Sequence, residues 1–210
     1  MARFERDTQQ ERAMTRLSHL AILATASALS LAACSREDAP AANDVALGND
    51  ATASGNAVAG AGQSFAFAGG DGAALGSVSV SESAGGLAMT ITATGMPAGT
   101  HGLHLHEKGQ CDGPRFESAG GHWNPGSKQH GRDNPQGAHL GDLANLEVAA
   151  DGTATSTLGV AGAMMASGPT MLADADGTAL VVHAKADDYK TDPSGASGDR
   201  IACAVVAPPK

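Results

Sequence analysis

The chain has 210 residues, a formal net charge of −9 and only 13 Lys and Arg residues. No basic cluster is long enough to follow a phosphate backbone, which argues against nucleic-acid binding. Glycine is abundant, with 28 residues, while aromatic residues make up 3% of the chain, a composition that favours turns and strands of small residues over helical bundles.

Residues 1–33 have the features of a secretory signal peptide. Arg12 and Arg16 form a basic region, and an apolar run from Leu17 to Leu31 follows it. The run is too short for a stable membrane span. The residues before Met14 are polar and lengthen the basic region, which makes Met14 an alternative start.

The LAAC sequence that ends at Cys34 resembles the bacterial lipobox, in which the cysteine becomes the lipidated first residue of the mature protein. The alternative is a plain signal peptide cut near Ala33, with a cysteine there by chance. If Cys34 takes lipid, Cys111 and Cys203 remain in an exported, oxidising compartment and can pair with each other. Residues 34–62 are rich in Ala, Gly, Asn and Asp and lack apolar periodicity, so they predict a flexible, lipid-attached linker.

Alternation with a period of two begins after Gln63 and predicts one folded domain over residues 63–210. The candidate strands, in chain order, are SFAFAG, ALGSVSVSES, GGLAMTITATGM, GTHGLHLHE, ANLEVAADGTATSTLGV, GTALVVHA and DRIACAVV. Short strands separated by Gly, Asp and Pro predict an all-β, antiparallel sandwich or barrel. The Asp-Gly pair in AADGTA, residues 149–154, predicts a tight hairpin turn. Residues 107–141 and 185–198 resist strand assignment and predict long functional loops.

The histidines are concentrated in one part of the chain: apart from one in the predicted signal peptide, all lie between residues 101 and 183. His104 and His106 are two positions apart, so on a strand their imidazoles share one face while Leu103 and Leu105 turn into the core. This spacing alone fits a metal site or a polar strand face. Further nitrogen and oxygen donors, of the types that suit copper or zinc, follow at His122, His130, His139, Asp142 and His183.

Five successive segments together resemble the signature segments of the copper–zinc superoxide dismutase family. They are HGLHLHEKGQC, GGHWNPGSKQHG, AHLGDL, VVHAKADD and GDRIACAVV, and the resemblance extends over about residues 63–207. It implies a Greek-key antiparallel β-sandwich or barrel with long metal-binding loops. It also implies one copper and one zinc ion per subunit.

The resemblance implies a role for each matching residue. Copper would be bound by His104, His106, His122 and His183, and zinc by His122, His130, His139 and Asp142, with His122 bridging the two metals. Asp187 would hydrogen-bond one copper histidine and one zinc histidine and so fix their orientation. The remaining matches are Arg200 beside the open copper position, a disulfide between Cys111 and Cys203, and His101 as a histidine that braces the copper strand without binding metal.

The reaction that the resemblance implies is the dismutation of superoxide. Copper alternates between Cu(II) and Cu(I), while zinc has no redox chemistry and stabilises the loop and the bridge. On reduction the bridge opens at copper, and His122 would take a proton that it later delivers to peroxide. Arg200 would supply a permanent cation for the anionic substrate. His122 and Arg200 are therefore the predicted catalytic residues.

The cations that would guide the substrate and the role of Trp123 each have two interpretations. The segment after Asp188 is short for the charged loop of cytosolic members, with Lys190 as its only cation, so Lys108 or Lys128 would guide the substrate unless they are ordinary solvated lysines. Trp123, beside His122, is either a packing residue or an interface anchor.

Function and assembly also have alternatives. A non-catalytic exported copper/zinc-binding domain is the main competitor to a dismutase, and a metallohydrolase is disfavoured because no carboxylate is obviously placed as a general base. We expect a periplasmic protein, anchored to the outer membrane through lipid at Cys34 and otherwise not in contact with membrane, as a monomer or homodimer.

Overall fold

The computed structural model describes residues 62–210. The predicted signal peptide, Cys34 and all of the predicted linker except Gly62 lie outside the described residues. Within the described part of the chain, no helix is long and apolar enough to span a bilayer.

Residues 62–210 contain nine strands, whose order follows the alternating segments of the sequence. They are β1 (Gln63–Gly69), β2 (Ala74–Ser83), β3 (Gly86–Ala93), β4 (Gly99–His101), β5 (Leu103–His106), β6 (Leu146–Val148), β7 (Ala154–Ala161), β8 (Thr178–His183) and β9 (Arg200–Ala207). In residues 62–210 the only helical element is a short 3-10 helix, Glu117–Ala119.

Seven of these strands form one sheet in the order β5-β8-β9-β1-β2-β3-β7, and β4 pairs with β6. Every pair is antiparallel. The prediction of an all-β, antiparallel fold is therefore confirmed.

The core explains why the alternation produces strands. Val78 and Val80 of β2 lie opposite Ile91 and Met89 of β3, and all four side chains are buried. Ser77, Ser79 and Ser81 project from the other face, so one face of the sheet is apolar and covers the core.

The Asp-Gly turn forms as predicted, but the hairpin does not extend from it. The Ala149 N–H donates to the Thr153 carbonyl at 2.8 Å, and Gly152 adopts φ +81°, where a side chain would be strained. Among the described strands, β6 then pairs with β4 rather than with β7. The local turn was predictable, whereas the strand partner depends on a distant segment.

Two long loops without strands connect β5 to β6 and β8 to β9, as the sequence predicts. The Cys111–Cys203 disulfide ties the first loop to β9 and confirms the predicted pairing. Phe116, which belongs to this loop, packs in a second small core with Ala179 and Val181 of β8. The first loop is therefore fixed to the sheet beside the histidines.

Candidate metal centre

The strands place three histidines and an arginine at one end of the sheet. His104 and His106 are buried on β5, and Leu103 and Leu105 belong to the main core, as the alternation predicts. Since β5 pairs with β8, His183 at the end of β8 lies close to them. Arg200, the first residue of β9, is the antiparallel partner of His183.

Backbone hydrogen bonds place the loop between β5 and β6 alongside β5. Leu105 accepts from the Trp123 N–H at 2.8 Å and donates to the Gly141 carbonyl at 2.9 Å. These bonds bring the neighbouring residues His122 and Asp142 into bridge pairing with His106 and His104, respectively. The loop residues thus reach the strand through main-chain pairing.

The first cluster consists of four imidazoles whose donor atoms lie within 4.8 Å of one another: His104, His106, His122 and His183. Their second ring nitrogens are all occupied. His106 Nδ1 donates to the Gly120 carbonyl at 3.0 Å, and His183 Nδ1 donates to the Gly198 carbonyl at 3.1 Å. When these two rings are neutral, the Nε2 atoms of His106 and His183 therefore carry no proton, and each offers a lone pair. The two Nε2 atoms are 3.4 Å apart.

The other two rings show the same pattern. His104 Nε2 donates to Asp187 at 2.9 Å, and His122 Nδ1 contacts Asp142 at 3.0 Å. The remaining atoms, His104 Nδ1 and His122 Nε2, are buried without a hydrogen-bond partner. Buried polar atoms are rarely left without a partner. Four lone pairs that converge in a buried site fit a metal ion that accepts imidazole ligands.

The second cluster lies on the other side of His122. His122, His130 and His139 each direct Nδ1 to within 3.0–3.1 Å of Asp142 Oδ1, and His139 Nδ1 is 3.4 Å from His122 Nδ1. A tetrahedral zinc site with bonds of about 2.0–2.1 Å separates its ligand atoms by roughly 3.3–3.4 Å. The three imidazoles and one carboxylate therefore fit zinc in number, chemistry and spacing.

His104 is also close enough to the second cluster to be grouped with His122, His130 and Asp142. Its Nε2 is occupied by Asp187, so only Nδ1 is available for one metal. We place His104 with the first cluster, because His139 already supplies the fourth donor to the second.

Asp187 forms hydrogen bonds with one histidine of each cluster. Its carboxylate is fully buried and accepts from His104 Nε2 at 2.9 Å and from His130 Nε2 at 3.0 Å. Burial disfavours the charged carboxylate, but the hydrogen bonds from both histidines hold the pKa of Asp187 well below its ordinary value. One anion thus orients one donor in each cluster, the contact expected from the sequence.

The pKa values of three of these histidines are shifted in different directions. Burial lowers the pKa of His122 to about 4 and that of His183 to about 3. Burial also opposes the charged form of His130, but attraction to Asp142 and Asp187 prevails and raises its pKa to about 9. A metal ion would therefore meet neutral rings at His122 and His183 and would replace a proton at His130.

Arg200 is held beside the first cluster by the disulfide-bonded loop. Its guanidinium donates to the Phe116 and Gly120 carbonyls, both at 2.6 Å. The Gly120 carbonyl is the same atom that accepts from His106. Arg200 and His106 of the first cluster are thus positioned by one peptide group.

A cleft of ≈ 590 Å³ opens beside Arg200. It is lined by Pro114, Arg115, Glu117, Gly198, Asp199 and Arg200. Lys108 lines a different cleft, with Trp123, and Lys128 lines neither. Arg115 is therefore the cation at this opening that sequence reasoning missed, since a single arginine in a loop has no distinctive pattern.

His101 and Trp123 are predicted from the sequence to have no metal-binding role. His101 stands outside both clusters, and its ring nitrogens lie 2.8 Å from the carbonyls of His183 and Pro97, which agrees with a bracing role. Trp123 is 4% exposed and belongs to the main core, so within this chain it is a packing residue.

Comparison with known proteins gives consistent matches. The sequence profile described as copper/zinc superoxide dismutase (SODC) matches residues 74–206. The superoxide dismutase-like protein YojM of Bacillus subtilis is 44% identical over 139 residues, which are 65% of this chain and 71% of that protein. The Cu-Zn superoxide dismutase of Caulobacter vibrioides is 42% identical over 140 residues, 65% of this chain and 80% of that protein. The crystal structure of a SOD-like protein from Bacillus subtilis matches with a TM-score of 0.68 and 39% identity, over 70% of this chain and 99% of the other.

Proposed function

The chain belongs to the copper/zinc superoxide dismutase family, and we propose that it converts two superoxide anions and two protons into O₂ and H₂O₂. Copper would be bound by His104, His106, His122 and His183. Zinc would be bound by His122, His130, His139 and Asp142.

The observation that supports this proposal best is the pair of adjacent donor sets that share His122. Its Nδ1 faces Asp142, while its Nε2 is buried without a partner on the side of the copper cluster. One imidazole can therefore serve both sets at once. A site for a single metal would not need such a ring.

Copper held by these four histidines would supply the redox chemistry, the uptake and return of one electron. His122 Nε2, which is buried without a partner, could hold a proton and deliver it to the peroxide that becomes H₂O₂. Arg200 is permanently charged and lies at the cleft, where it can dock a small anion. Asp187 keeps His104 and His130 in the tautomers that the two metals need.

The alternative is a non-catalytic exported domain that only binds copper and zinc. Family membership alone does not decide this, because one relative is named a superoxide dismutase-like protein. Arg200 favours catalysis, since a site that only stores metal does not require a partly buried arginine beside an open cleft. Its two short hydrogen bonds hold the guanidinium where an anion would approach the first cluster.

Superoxide consumption by the purified chain tests the proposal. Protein loaded with copper and zinc should accelerate superoxide decay, whereas the metal-free and zinc-only forms should not. Equal decay in the presence of all three forms would favour the binding domain.

For the N-terminal part of the chain we propose a cleaved signal peptide over residues 1–33, a lipid on Cys34 and a linker to residue 62. The dismutase domain, residues 63–210, would then protect the cell envelope from the periplasmic side of the outer membrane. Ser35, directly after the cysteine, supports outer-membrane sorting by resemblance to other lipoproteins.

The Cys34→Ser variant tests the lipid anchor. We expect the native protein to fractionate with membranes, because several acyl chains together bind a bilayer stably, and the variant to be released into the soluble fraction. Mass spectrometry of the mature N-terminus provides the control. Native protein in the soluble fraction with an unmodified Cys34 would contradict the proposal.

A further inference from the structure

Tyr189, the only tyrosine of the chain, connects the two long loops. Its hydroxyl accepts the Asn145 N–H at 2.9 Å, and the Arg132 guanidinium carbon lies 3.7 Å from the centre of its ring. Asn145 and Arg132 both belong to the loop between β5 and β6, whereas Tyr189 belongs to the loop between β8 and β9. The side chain thus contacts the opposite loop at two separate points.

The backbone of Tyr189 adds two further contacts. Its N–H donates to Asp187 Oδ1 at 2.7 Å, and its carbonyl accepts the Asp133 N–H at 3.0 Å. Asp187 is the carboxylate that joins the clusters, and Asp133 follows His130 by three residues. Tyr189 therefore contacts both the carboxylate that orients His130 and the segment that contains His130.

Asn145 completes the connection from the other side. Its side-chain amide donates to the Asp187 carbonyl at 3.1 Å and accepts the Asp187 N–H at 3.0 Å. Both backbone groups of Asp187 are therefore fixed by one residue, whose own N–H is fixed by Tyr189. The chain of contacts runs from the tyrosine hydroxyl through Asn145 to Asp187 and ends on His130.

The backbone conformation indicates that the side chain is needed at this position. Tyr189 has φ +62°, in the left-handed region where glycine is unstrained and a large aromatic residue is disfavoured. Strained residues persist where the surrounding structure holds them, often at functional sites. Glycine would satisfy the backbone but would remove both contacts of the side chain.

We propose that Tyr189 is a positioning residue that controls how firmly the second cluster retains zinc. It would do so by fixing Asp187 and the segment after His130, without touching the metal. This inference rests on the proposed assignment of zinc to His122, His130, His139 and Asp142. It does not depend on dismutase activity.

The test measures zinc transfer from the copper- and zinc-loaded protein to an excess of a colorimetric chelator. Tyr189→Phe removes only the hydroxyl and should speed zinc release about two- to tenfold, the effect of one hydrogen bond. Tyr189→Gly relieves the backbone strain but removes the ring, and it should speed release roughly 10- to 100-fold, as disruption of contacts behind a ligand typically does. Lys190→Gln, at the exposed neighbouring position, should release zinc at the native rate.

Cobalt in the zinc site supplies a second readout. The visible absorption of Co(II) depends on ligand geometry, so it should change in Tyr189→Gly and stay native in Lys190→Gln. Native zinc release and a native cobalt spectrum in both tyrosine variants would overturn the proposal, as would a loss of thermal stability without faster release. If Tyr189→Gly does not fold, Tyr189→Phe still decides, because it keeps the ring and the backbone. These results stand whether or not the protein consumes superoxide.

Discussion

At the scale of single residues, His183 belongs only to the first cluster and His139 only to the second. His183 Nε2 lies 3.4 Å from His106 Nε2, whereas His139 Nδ1 lies 3.1 Å from Asp142 Oδ1. Each of these residues therefore serves one donor set only, unlike the shared His122. This division makes the metal assignment testable by single substitutions.

His183→Ala should lower copper affinity by a large factor and abolish dismutation while zinc stays bound. Removal of one of the four imidazoles of the first cluster leaves the second donor set intact. Metal content after dialysis against a weak chelator measures the result. His139→Ala is the matched control and should lose zinc while it keeps copper. Loss of zinc with retention of copper in His183→Ala would reverse the assignment.

Arg200 is the residue whose charge should determine the rate of encounter with superoxide. Lys at this position should keep much of the rate, Ile should lose most of it, and Glu should be slower still, with metals bound in all three. Added salt should slow the native protein, since the Debye length is about 8 Å at 0.15 M, and should slow the Ile variant less.

Stopped-flow decay of superoxide at several salt concentrations measures the role of Arg200. If Arg200 only packs against the loop through Phe116 and Gly120, the Lys and Ile variants should be similarly slow. Equal salt slopes for the native and Ile proteins would then rule out guidance by its charge.

At the scale of elements, the loop between β8 and β9 must come very close to Asp187. Gly195 has φ +65°, and a Cβ at this position would overlap Asp187 Oδ1 and approach His130 Nε2 to 2.7 Å. The loop can follow this path only with glycine at position 195. This residue therefore permits the contact between Asp187 and His130.

Gly195→Ala should reduce zinc affinity by roughly 10- to 100-fold, because the new methyl group displaces the carboxylate that orients His130. Competition with a zinc chelator measures the affinity. Gly168→Ala is the matched control, since Gly168 has φ +82° but open space around its Cβ, so it should cost about 1–2 kcal/mol of stability without affecting zinc. Equal zinc affinities for Gly195→Ala and the native chain would contradict this account.

The strands were predictable from the sequence because one buried face imposes alternation, as in β2, where Val78 and Val80 alternate with serines. The histidine pair on β5 followed from the same rule. The positions of Asn145, Tyr189 and Arg115 were not predictable, since they depend on contacts between loops far apart in sequence. Individual loop residues acquire their roles only from the folded path of the chain.

At the scale of the molecule, the disulfide and the two long loops together surround the two clusters. Cys111 and Cys203 are 92 residues apart, and a cross-link that closes so long a loop contributes roughly 4–5 kcal/mol to stability. The loop that it anchors contains the two carbonyls that hold Arg200. The stability of the fold and the position of Arg200 thus depend on the same disulfide.

The net charge of −9 does not oppose an anionic substrate, because the local field at the cleft determines its approach. Arg115 and Arg200 line the cleft together with Glu117 and Asp199, so its charges balance locally. Arg115 and Glu117 also form an ion pair that is largely exposed and therefore contributes little to stability. Arg200, which is partly buried, is the cation that remains directed at the site.

The most direct test of the account is a titration of the zinc-loaded chain with copper, with the rate constant of superoxide decay measured after each addition. We expect the rate to rise in proportion to copper and to stop rising at one copper per chain, because one four-histidine cluster beside Arg200 performs the reaction. A copper-loaded chain that fails to accelerate superoxide decay would contradict the account and identify a metal-binding domain instead.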